Sequence, residues 1–355
     1  MQMSFELIKK LSEAFGPPGY EVEVRKIMRR ELEKYGEIKQ DRLGSIIAKL
    51  KGSSGPKVML AAHMDEVGFM VKLIDKNGFI KFSPLGGWFD QVLLGQKVRI
   101  RTKKGDIVGV IGSKPPHILE PKEAEKVVKK KEMFIDIGAS SKEDAEKLGV
   151  RPGDPIVPET ITEKMANQKL IMGKAFDDRI GCAAIVEIMR TLSKESLNVS
   201  VYGVGTTQEE VGLRGAQTSG WVVSPDLCFV LEVGIAGDVP GVKPEDVQEK
   251  VGKGPAILLR DATLIPNIKL RDFLFDLAEE LKIPYQVDVL ERGGTDAGRI
   301  HLIKQGVPSI VIGVPTRYIH SHVGVLSLED FQNAVKLVSE AIKRLDEKTI
   351  KSFTE

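Results

Sequence analysis

Residue types that bind metals follow several apolar runs of this sequence. They are His63 and Asp65 after KVMLAA, Glu209 and Glu210 after NVSVYGVGTTQ, Glu232 after DLCFVL, and His320 after PSIVIGVPTRY. Short apolar runs of this kind predict strands buried on both faces, as in a parallel sheet. In open α/β sheets, ligands bind beyond the carboxyl ends of the strands. Histidines and carboxylates gathered there would form a carboxylate-rich metal centre.

His63 and Asp65 form the first part of this pattern. A lone histidine at a strand end is more often a structural residue than a ligand. Residues two apart on an extended strand point the same way, so Asp65 could accept the second N–H of the imidazole and fix its tautomer. A simple surface pair is the alternative.

Two acidic pairs are further candidates. Asp177 and Asp178 in KAFDDRIG precede a predicted helix, where acids often cap the helix and meet its dipole. Two dications about 3.5–4 Å apart need a bridging carboxylate, which an aspartate at a loop–helix junction can supply. Glu209 and Glu210 would repel each other if buried without a cation. One could bind metal while the other handles a proton of a metal-bound water; surface exposure is the alternative.

Five histidines occur in the chain, so the position of each is informative. His320 directly follows a predicted strand and its short connection. His322 could face the same side if the segment is extended. His301 lies in a helical pattern and is predicted to be structural, whereas the role of His117 is left open.

Helical and strand patterns alternate in most of the chain. Helices are predicted in SFELIKKLSEAFG, EVEVRKIMRRELEKYG, DRIGCAAIVEIMRTL, IKLRDFLFDLAEELK and a last helix from Ser327, with Asp330 completing a capping box. Strands are predicted in SIIAKLKG and in the apolar runs. This alternation indicates a three-layer α/β/α catalytic domain.

A β-rich stretch interrupts that alternation. FMVKLI and FIKF flank an Asn77–Gly78 turn, KVRIRT and IVGVIG form a second hairpin, EMFIDIG adds a strand, and VRPGD is typical of a closing turn. We therefore expect an inserted small β-barrel-like domain at residues 68–165. The catalytic domain would be discontinuous, comprising residues 1–67 and 166–355.

Composition excludes several classes of protein. The 52 basic and 50 acidic residues are interspersed and give no basic surface for nucleic acid. The run KVVKKKEM from Lys126 is predicted to be a solvated helix face. No apolar run approaches the ~20 residues of a membrane helix, and the first residues lack a signal-peptide core, so we expect a cytoplasmic protein. Cys182 and Cys228 are not in CxxC pairs, which excludes a disulfide scaffold, and both are predicted core residues.

Six motifs in register resemble one family, the tetrahedral (TET) aminopeptidases, which include proteins once labelled cellulase M or FrvX. The motifs are HMDEVG, KAFDDRIG, TTQEEVGLRGA, LEVGIAGDVPG, GGTDAGR and RYIHS. The resemblance covers almost the whole chain, including the insertion with its PPH and DIGASSKEDAEKLG phrases.

The resemblance implies a set of metal ligands. His63 and Glu232 would bind one metal ion, Glu210 and His320 the other, and Asp177 would bridge both. Zinc is the expected metal and cobalt the alternative, because a mixed histidine and carboxylate site discriminates weakly between them.

The resemblance also implies a reaction. Glu209 would be the general base that takes a proton from a metal-bridging water. Asp65 would orient the imidazole of His63 without binding metal itself. The protein would remove N-terminal residues from short unfolded peptides, as a homododecamer in which the insertion forms dimer contacts. It would bind neither nucleic acid nor membranes.

Other functions remain open from the residues alone. A related dinuclear deacylase or carboxypeptidase would keep the metals without needing a free α-amine. A glycoside hydrolase would need two carboxylates and no metal. A metal-binding scaffold would not require Glu209 beside Glu210. Arg292, Asp296 and Arg317 offer both signs of charge near the expected pocket, so the sequence does not predict which N-terminal residue is preferred.

Overall fold

The computed structural model describes residues 2–355 of the chain. Within that part, no helix is long and apolar enough to cross a membrane. Ten α-helices are present: α1 (Gln2–Glu13), α2 (Val22–Leu32), α3 (Pro121–Ala124), α4 (Lys142–Leu148), α5 (Phe176–Leu192), α6 (Arg214–Val223), α7 (Ile268–Glu280), α8 (Ala297–Ile300), α9 (Leu328–Lys343) and α10 (Glu347–Ser352). Short 3₁₀ turns occupy Asp90–Val92, Pro116–Ile118 and Lys130–Glu132.

Seventeen strands lie in the same residues 2–355. They are β1 (Gly36–Gln40), β2 (Ile46–Leu50), β3 (Lys57–His63), β4 (Gly68–Ile74), β5 (Ile80–Leu85), β6 (Lys97–Thr102), β7 (Gly105–Gly112), β8 (Phe134–Asp136), β9 (Pro155–Pro158), β10 (Glu163–Lys164), β11 (Leu170–Gly173), β12 (Ser200–Thr206), β13 (Leu227–Ile235), β14 (Ala256–Arg260), β15 (Gln286–Val289), β16 (Ser309–Arg317) and β17 (Gly324–Ser327).

A large mixed sheet carries the four strands whose ends were predicted to hold metal ligands. Its main path is β1-β2-β12-β3-β13-β16-β17-β11-β10, with β14 added to β16 and β15 to β14. The neighbours β12, β3, β13 and β16 run parallel to one another. Their carboxyl ends therefore meet at one edge of the sheet, where crossover topology places ligand sites.

Helices cover both faces of this sheet. On β3, Val58, Leu60 and Ala62 face the core under α1, α2, α5, α7 and α9. Met59 and Ala61 face the opposite core, under α6 and α8. The alternation follows from the two-residue period of a strand, and it explains why the run is apolar throughout. The predicted three-layer α/β/α fold is confirmed.

The inserted β-rich stretch forms a closed antiparallel barrel. Its order is β4-β5-β8-β7-β6-β9, and β9 closes the ring by pairing with both β4 and β6. Closure leaves no free strand edge, and a separate core containing Phe69, Trp88 and Ile100 fills the interior. Both predicted hairpins, the EMFIDIG strand and the closing turn are confirmed. The strands of the barrel lie between residues 68 and 158.

The domain boundaries at residues 67/68 and 165/166 stay predictions. Strand β10, at Glu163–Lys164, pairs with β11 in the large sheet although it lies inside the predicted 68–165 insertion. The two cysteines are buried, as predicted.

The second predicted helix is confirmed but shorter than expected: it ends at Leu32, and the residues from Gly36 form β1, because this segment pairs with β2. Two other local predictions were wrong. The basic run from Lys126 forms no long helix; its lysines Lys129 and Lys130 pair with Asp90 beside a 3₁₀ turn.

The second wrong prediction concerns the first turn of the last helix. Ser327 caps α9, as predicted, by accepting hydrogen bonds from the backbone of Glu329 and Asp330. The Asp330 carboxylate does not complete a capping box. It accepts N–H groups of Gly252 and Gly254 instead, and so ties a distant loop to the helix.

Candidate metal centre

The sheet brings the predicted ligands together from separate segments. His63 is the last residue of β3, and its register partner on β12 is Thr206, three residues before Glu209. Glu232 lies on β13, and His320 follows β16 after a short connection. Asp177 lies in the first turn of α5, which packs against β3 and β13.

Asp177 lies between the two histidines. Its Oδ1 is 2.9 Å from Nε2 of His63, and its Oδ2 is 3.2 Å from Nε2 of His320. Each oxygen of one carboxylate thus faces a different imidazole. This is the arrangement that a bridging ligand of two cations requires.

Three glutamates surround this core. Glu232 Oε1 is 3.6 Å and Glu209 Oε2 is 3.8 Å from Nε2 of His63. Glu210 Oε1 is 3.5 Å from Nε2 of His320. Two potential ligand sets, each with ligand atoms within 4.8 Å of one another, are His63–Asp177–Glu232 and Asp177–Glu210–His320. A third set of the same size, His63–Glu209–Glu210, connects the two.

Two buried aspartates fix the positions of these residues. The Asp65 carboxylate accepts the backbone N–H groups of Glu209 at 2.9 Å and Glu210 at 3.0 Å. Nδ1 of His63 lies 3.1 Å from the main-chain oxygen of Asp65 and 3.6 Å from its carboxylate. The main chain is therefore the nearer acceptor for the imidazole. Asp178 accepts the N–H of His63 at 3.1 Å and so connects α5 to β3.

The carboxyl groups of the cluster lie too close together to be ionised at the same time without a compensating positive charge. Burial raises the pKa of Glu210 and of Glu232 to about 8, and the neighbouring Asp177 adds to both shifts. Burial alone would raise the pKa of Asp177 as well, but hydrogen bonds from His320 and His63 lower it. Ionising all three carboxylates together is unfavourable unless a cation lies among them.

The donor set fits divalent metal ions. Within residues 2–355, Glu210 Oε1 is buried and has no hydrogen-bond partner. A buried carboxylate oxygen without a partner is unfavourable by roughly 1–3 kcal/mol, and metal coordination would satisfy it. Burial also raises the pKa of Glu209 well above its usual range. Two histidines with three or four carboxylates suit zinc and similar ions.

A buried ionic cluster of Glu66, Lys174 and Arg179 lies next to the candidate ligands in sequence and helps to hold them in place. Lys174 donates to both oxygens of Glu66 at 2.6 Å, and Arg179 lies 3.3 Å from the same carboxylate. Arg179 also donates to the main-chain oxygens of Leu11, Ala14 and Gly16. These charged residues flank His63 and Asp177 in sequence, so the cluster anchors the segments of both candidate ligands to the end of α1.

Glu21 is a supporting residue that the sequence did not predict. Glu21 is 2% exposed, and its Oε1 accepts the N–H groups of Gly19 at 2.7 Å and Gln208 at 3.1 Å. Three consecutive N–H groups, at Gln208, Glu209 and Glu210, are thus held by two buried carboxylates. Only the large sequence separation hid this role, because nothing around Glu21 distinguishes it from a helix-capping acid.

The remaining histidines lie outside these ligand sets. His301 ends α8, with Nδ1 2.8 Å from the oxygen of Ala297, which agrees with a structural role. His117 is exposed in the short turn Pro116–Ile118. His322 is buried against Trp88, with ring centroids 5.3 Å apart. Burial lowers its pKa to about 4.

A cavity of about 310 Å³ opens directly onto the cluster. His63, Asp177, Glu209, Glu210, Glu232 and His320 line one side of it. Its volume lies at the small end of the range for ligand pockets. The predicted ligands therefore face a space that a small molecule or a chain terminus can enter.

Comparisons with known proteins show that this chain is similar to aminopeptidases. A model of the family described as M42 glutamyl aminopeptidase matches residues 44–337. The chain is 42% identical over 355 residues to the putative aminopeptidase FrvX of Escherichia coli (strain K12), with 99% of each chain covered. A crystal structure of a TET aminopeptidase from Thaumarchaeota archaeon SCGC AB-539-E09 is 52% identical, with a TM-score of 0.97 and 99% of each chain covered. The TET1 peptidase of Pyrococcus horikoshii, which can assemble into a tetrahedron or a large octahedral shell, is 32% identical with a TM-score of 0.86, covering 96% of this chain and 100% of that one.

Proposed function

Because the chain belongs to the M42 glutamyl aminopeptidase family, we propose that it is a dinuclear metal-dependent aminopeptidase acting on short unfolded peptides. Membership confirms the family resemblance and supports a peptide-bond hydrolase of the aminopeptidase type. The observation that carries the finer proposal is Asp177, whose two oxygens face His63 and His320 separately.

The proposed ligands divide into two sets that share Asp177. His63 and Glu232 would hold one ion, and Glu210 and His320 would hold the other. The distances of 2.9–3.6 Å from the imidazole nitrogens to these carboxylates support this division. Zinc is the expected metal, and cobalt is an alternative that the same ligands accept.

Divalent ions in these sites would polarise the scissile carbonyl, activate a water and bind the free α-amine of the substrate. Glu209 is the proposed general base: it takes a proton from the attacking water and returns it to the leaving amine. Its raised pKa and its place beside His63 suit a group that holds a proton between these steps. Asp65 keeps Glu209 in place through the backbone hydrogen bond.

The preference for chain termini follows from the site. An internal peptide bond would present no free amine to bound metal ions, and the cavity of about 310 Å³ can receive a terminal residue. We further propose a hollow assembly of twelve subunits, with the barrel domain at residues 68–165 forming dimer contacts. Folded proteins would be excluded from its interior.

Two neighbouring substitutions separate metal binding from catalysis. Glu209→Gln should keep two metal ions per subunit and lower kcat by about 10²–10⁴-fold, the usual effect of losing a general base. Glu210→Gln should lower the metal content itself. The measurements are metal content by mass spectrometry and release of free amino acid from peptides. Full activity in the Glu209→Gln protein would refute the proposed base.

A further inference from the structure

The cavity beside the metal ligands has a second wall made of apolar side chains. This wall consists of Leu213, Val233, Ile235, Leu290 and Ile319. All five side chains are partly exposed, whereas the side chains in the cores on the two faces of the sheet are buried. Apolar surface facing a cavity gains free energy when an apolar group covers it.

Arg292, Asp296 and Arg317, the charged residues expected near the pocket, do not line this cavity. Arg317 donates to Asp238 from both Nε, at 2.9 Å, and Nη2, so the two charges neutralise each other. Asp296 is buried and accepts the hydroxyl of Thr206. Arg292 is exposed and lines a neighbouring groove, which shares only Leu290 with the lining of this cavity.

These pairings answer a question that the sequence left open. Within residues 2–355, the charged side chains that line the cavity are those of the proposed metal ligands and Glu209. A charged substrate side chain packed against the apolar wall would lose its hydration without gaining an ion pair, which is strongly unfavourable. An aliphatic side chain in the same place has no charge to desolvate.

We propose that this wall is the pocket for the substrate's N-terminal side chain, and that it selects uncharged aliphatic side chains, favouring those that cover more of the wall than alanine does. The proposal rests on the proposed aminopeptidase function. It assigns Leu290 and Ile235 as residues that determine specificity. They lie on different elements, Leu290 just after β15 and Ile235 at the end of β13, so each can be changed separately.

The test compares amides of leucine, alanine, lysine and glutamate that share one leaving group, with the metal-loaded enzyme. The kcat/KM for leucine should exceed that for alanine by roughly 10–200-fold, the usual value of added methylene groups in an apolar pocket. Lysine and glutamate should fall below leucine by at least as much.

Substitutions of the wall make the test specific. Leu290→Asp should raise the lysine-to-leucine ratio of kcat/KM by at least about tenfold, as an introduced carboxylate pairs with the ammonium group. Ile235→Asp repeats the test from the other element if the first variant does not fold. Ile265→Asp is the matched control, because Ile265 is 74% exposed and lies outside the cavity lining; its ratio should not change.

The outcomes distinguish the two proposals. A wild-type enzyme that prefers lysine or glutamate, with metal-dependent activity, overturns the apolar pocket and leaves the aminopeptidase standing. Unchanged ratios in both folded wall variants also overturn the pocket. Absence of cleavage for every amide, with the metal sites filled, overturns both proposals.

Discussion

Asp65→Asn tests how the centre is held together without removing a proposed ligand. The Asp65 carboxylate is fully buried and uses Oδ1 for the N–H of Glu209 and Oδ2 for the N–H of Glu210. An asparagine offers one oxygen and one NH₂ group in the same space. One of the two backbone N–H groups must then lose its acceptor and face another donor.

The expected magnitude follows from these two bonds. A hydrogen bond to a charged group contributes about 1.5–3 kcal/mol, and an orphaned buried donor adds a desolvation penalty. We expect Asp65→Asn to lower the free energy of unfolding of the metal-free protein by about 2–4 kcal/mol. Metal affinity should fall roughly 10–100-fold, as it does when groups supporting metal ligands are removed.

Asp75→Asn is the matched control. Asp75 also accepts two backbone N–H groups, those of Asn77 and Phe79, but a single oxygen, Oδ1, accepts both. Asparagine preserves that oxygen, and the hairpin lies in the barrel. Urea unfolding in chelator and competition with a metal indicator measure the two quantities. Wild-type stability and metal affinity in Asp65→Asn would refute the reasoning.

Three further perturbations have defined outcomes. Lys174→Met leaves Glu66 buried with only its arginine partner and should reduce stability by about 3 kcal/mol in urea unfolding; a loss below about 1 kcal/mol would contradict this. Burial and the neighbouring Asp288 raise the pKa of the Glu249 carboxyl group. The folded state therefore binds the Glu249 proton more tightly than the unfolded chain does, and the free energy of unfolding falls as pH rises above about 4.5. Glu249→Gln should therefore be more stable than wild type at pH 8 by about 1–3 kcal/mol and equal to it below about pH 4; equal stability at both pH values would refute the assignment. Adding metal at one hundred times its Kd to chelator-treated protein should raise the free energy of unfolding by about 2.7 kcal/mol for each site that fills, and an unchanged melting temperature would argue against binding to the native state.

Sequence reasoning worked best where chemistry and strand ends coincide. His63, Glu232 and His320 follow or end apolar runs that could hardly be anything but buried strands, and parallel strands bring their ends together whatever the details of packing. The hairpin at Asn77–Gly78 carries its own turn chemistry, since Gly78 has a φ of +91°. The family resemblance then divided roles that the residue types alone left open.

Local patterns failed where distant contacts decide. Strand β1 exists because Gly36–Gln40 pairs with Ile46–Leu50, which the helical periodicity before it conceals. Asp330 has the right spacing for a capping box, yet it satisfies Gly252 and Gly254 in a separate loop. Glu21 and Gln208 are 187 residues apart in sequence, yet the Glu21 carboxylate accepts the N–H of Gln208.

Charge assignments near the pocket were beyond the sequence for the same reason. Arg317 and Asp238 are 79 residues apart, and only the fold brings them into one ion pair. From the sequence alone, Arg317 could be a free cation that binds an acidic substrate side chain. The proposed preference for uncharged N-terminal residues is therefore argued from tertiary structure rather than from any motif.

The most direct test of the central claim uses one short peptide and its N-acetylated twin, each incubated with metal-loaded and chelator-treated enzyme. Release of free amino acid is measured over time. We expect stepwise release from the free peptide with metal, and none from the acetylated peptide or in chelator. Cleavage of the acetylated peptide at a similar rate would indicate a deacylase or another peptidase, and undiminished cleavage in chelator by metal-free protein would contradict the metal centre itself.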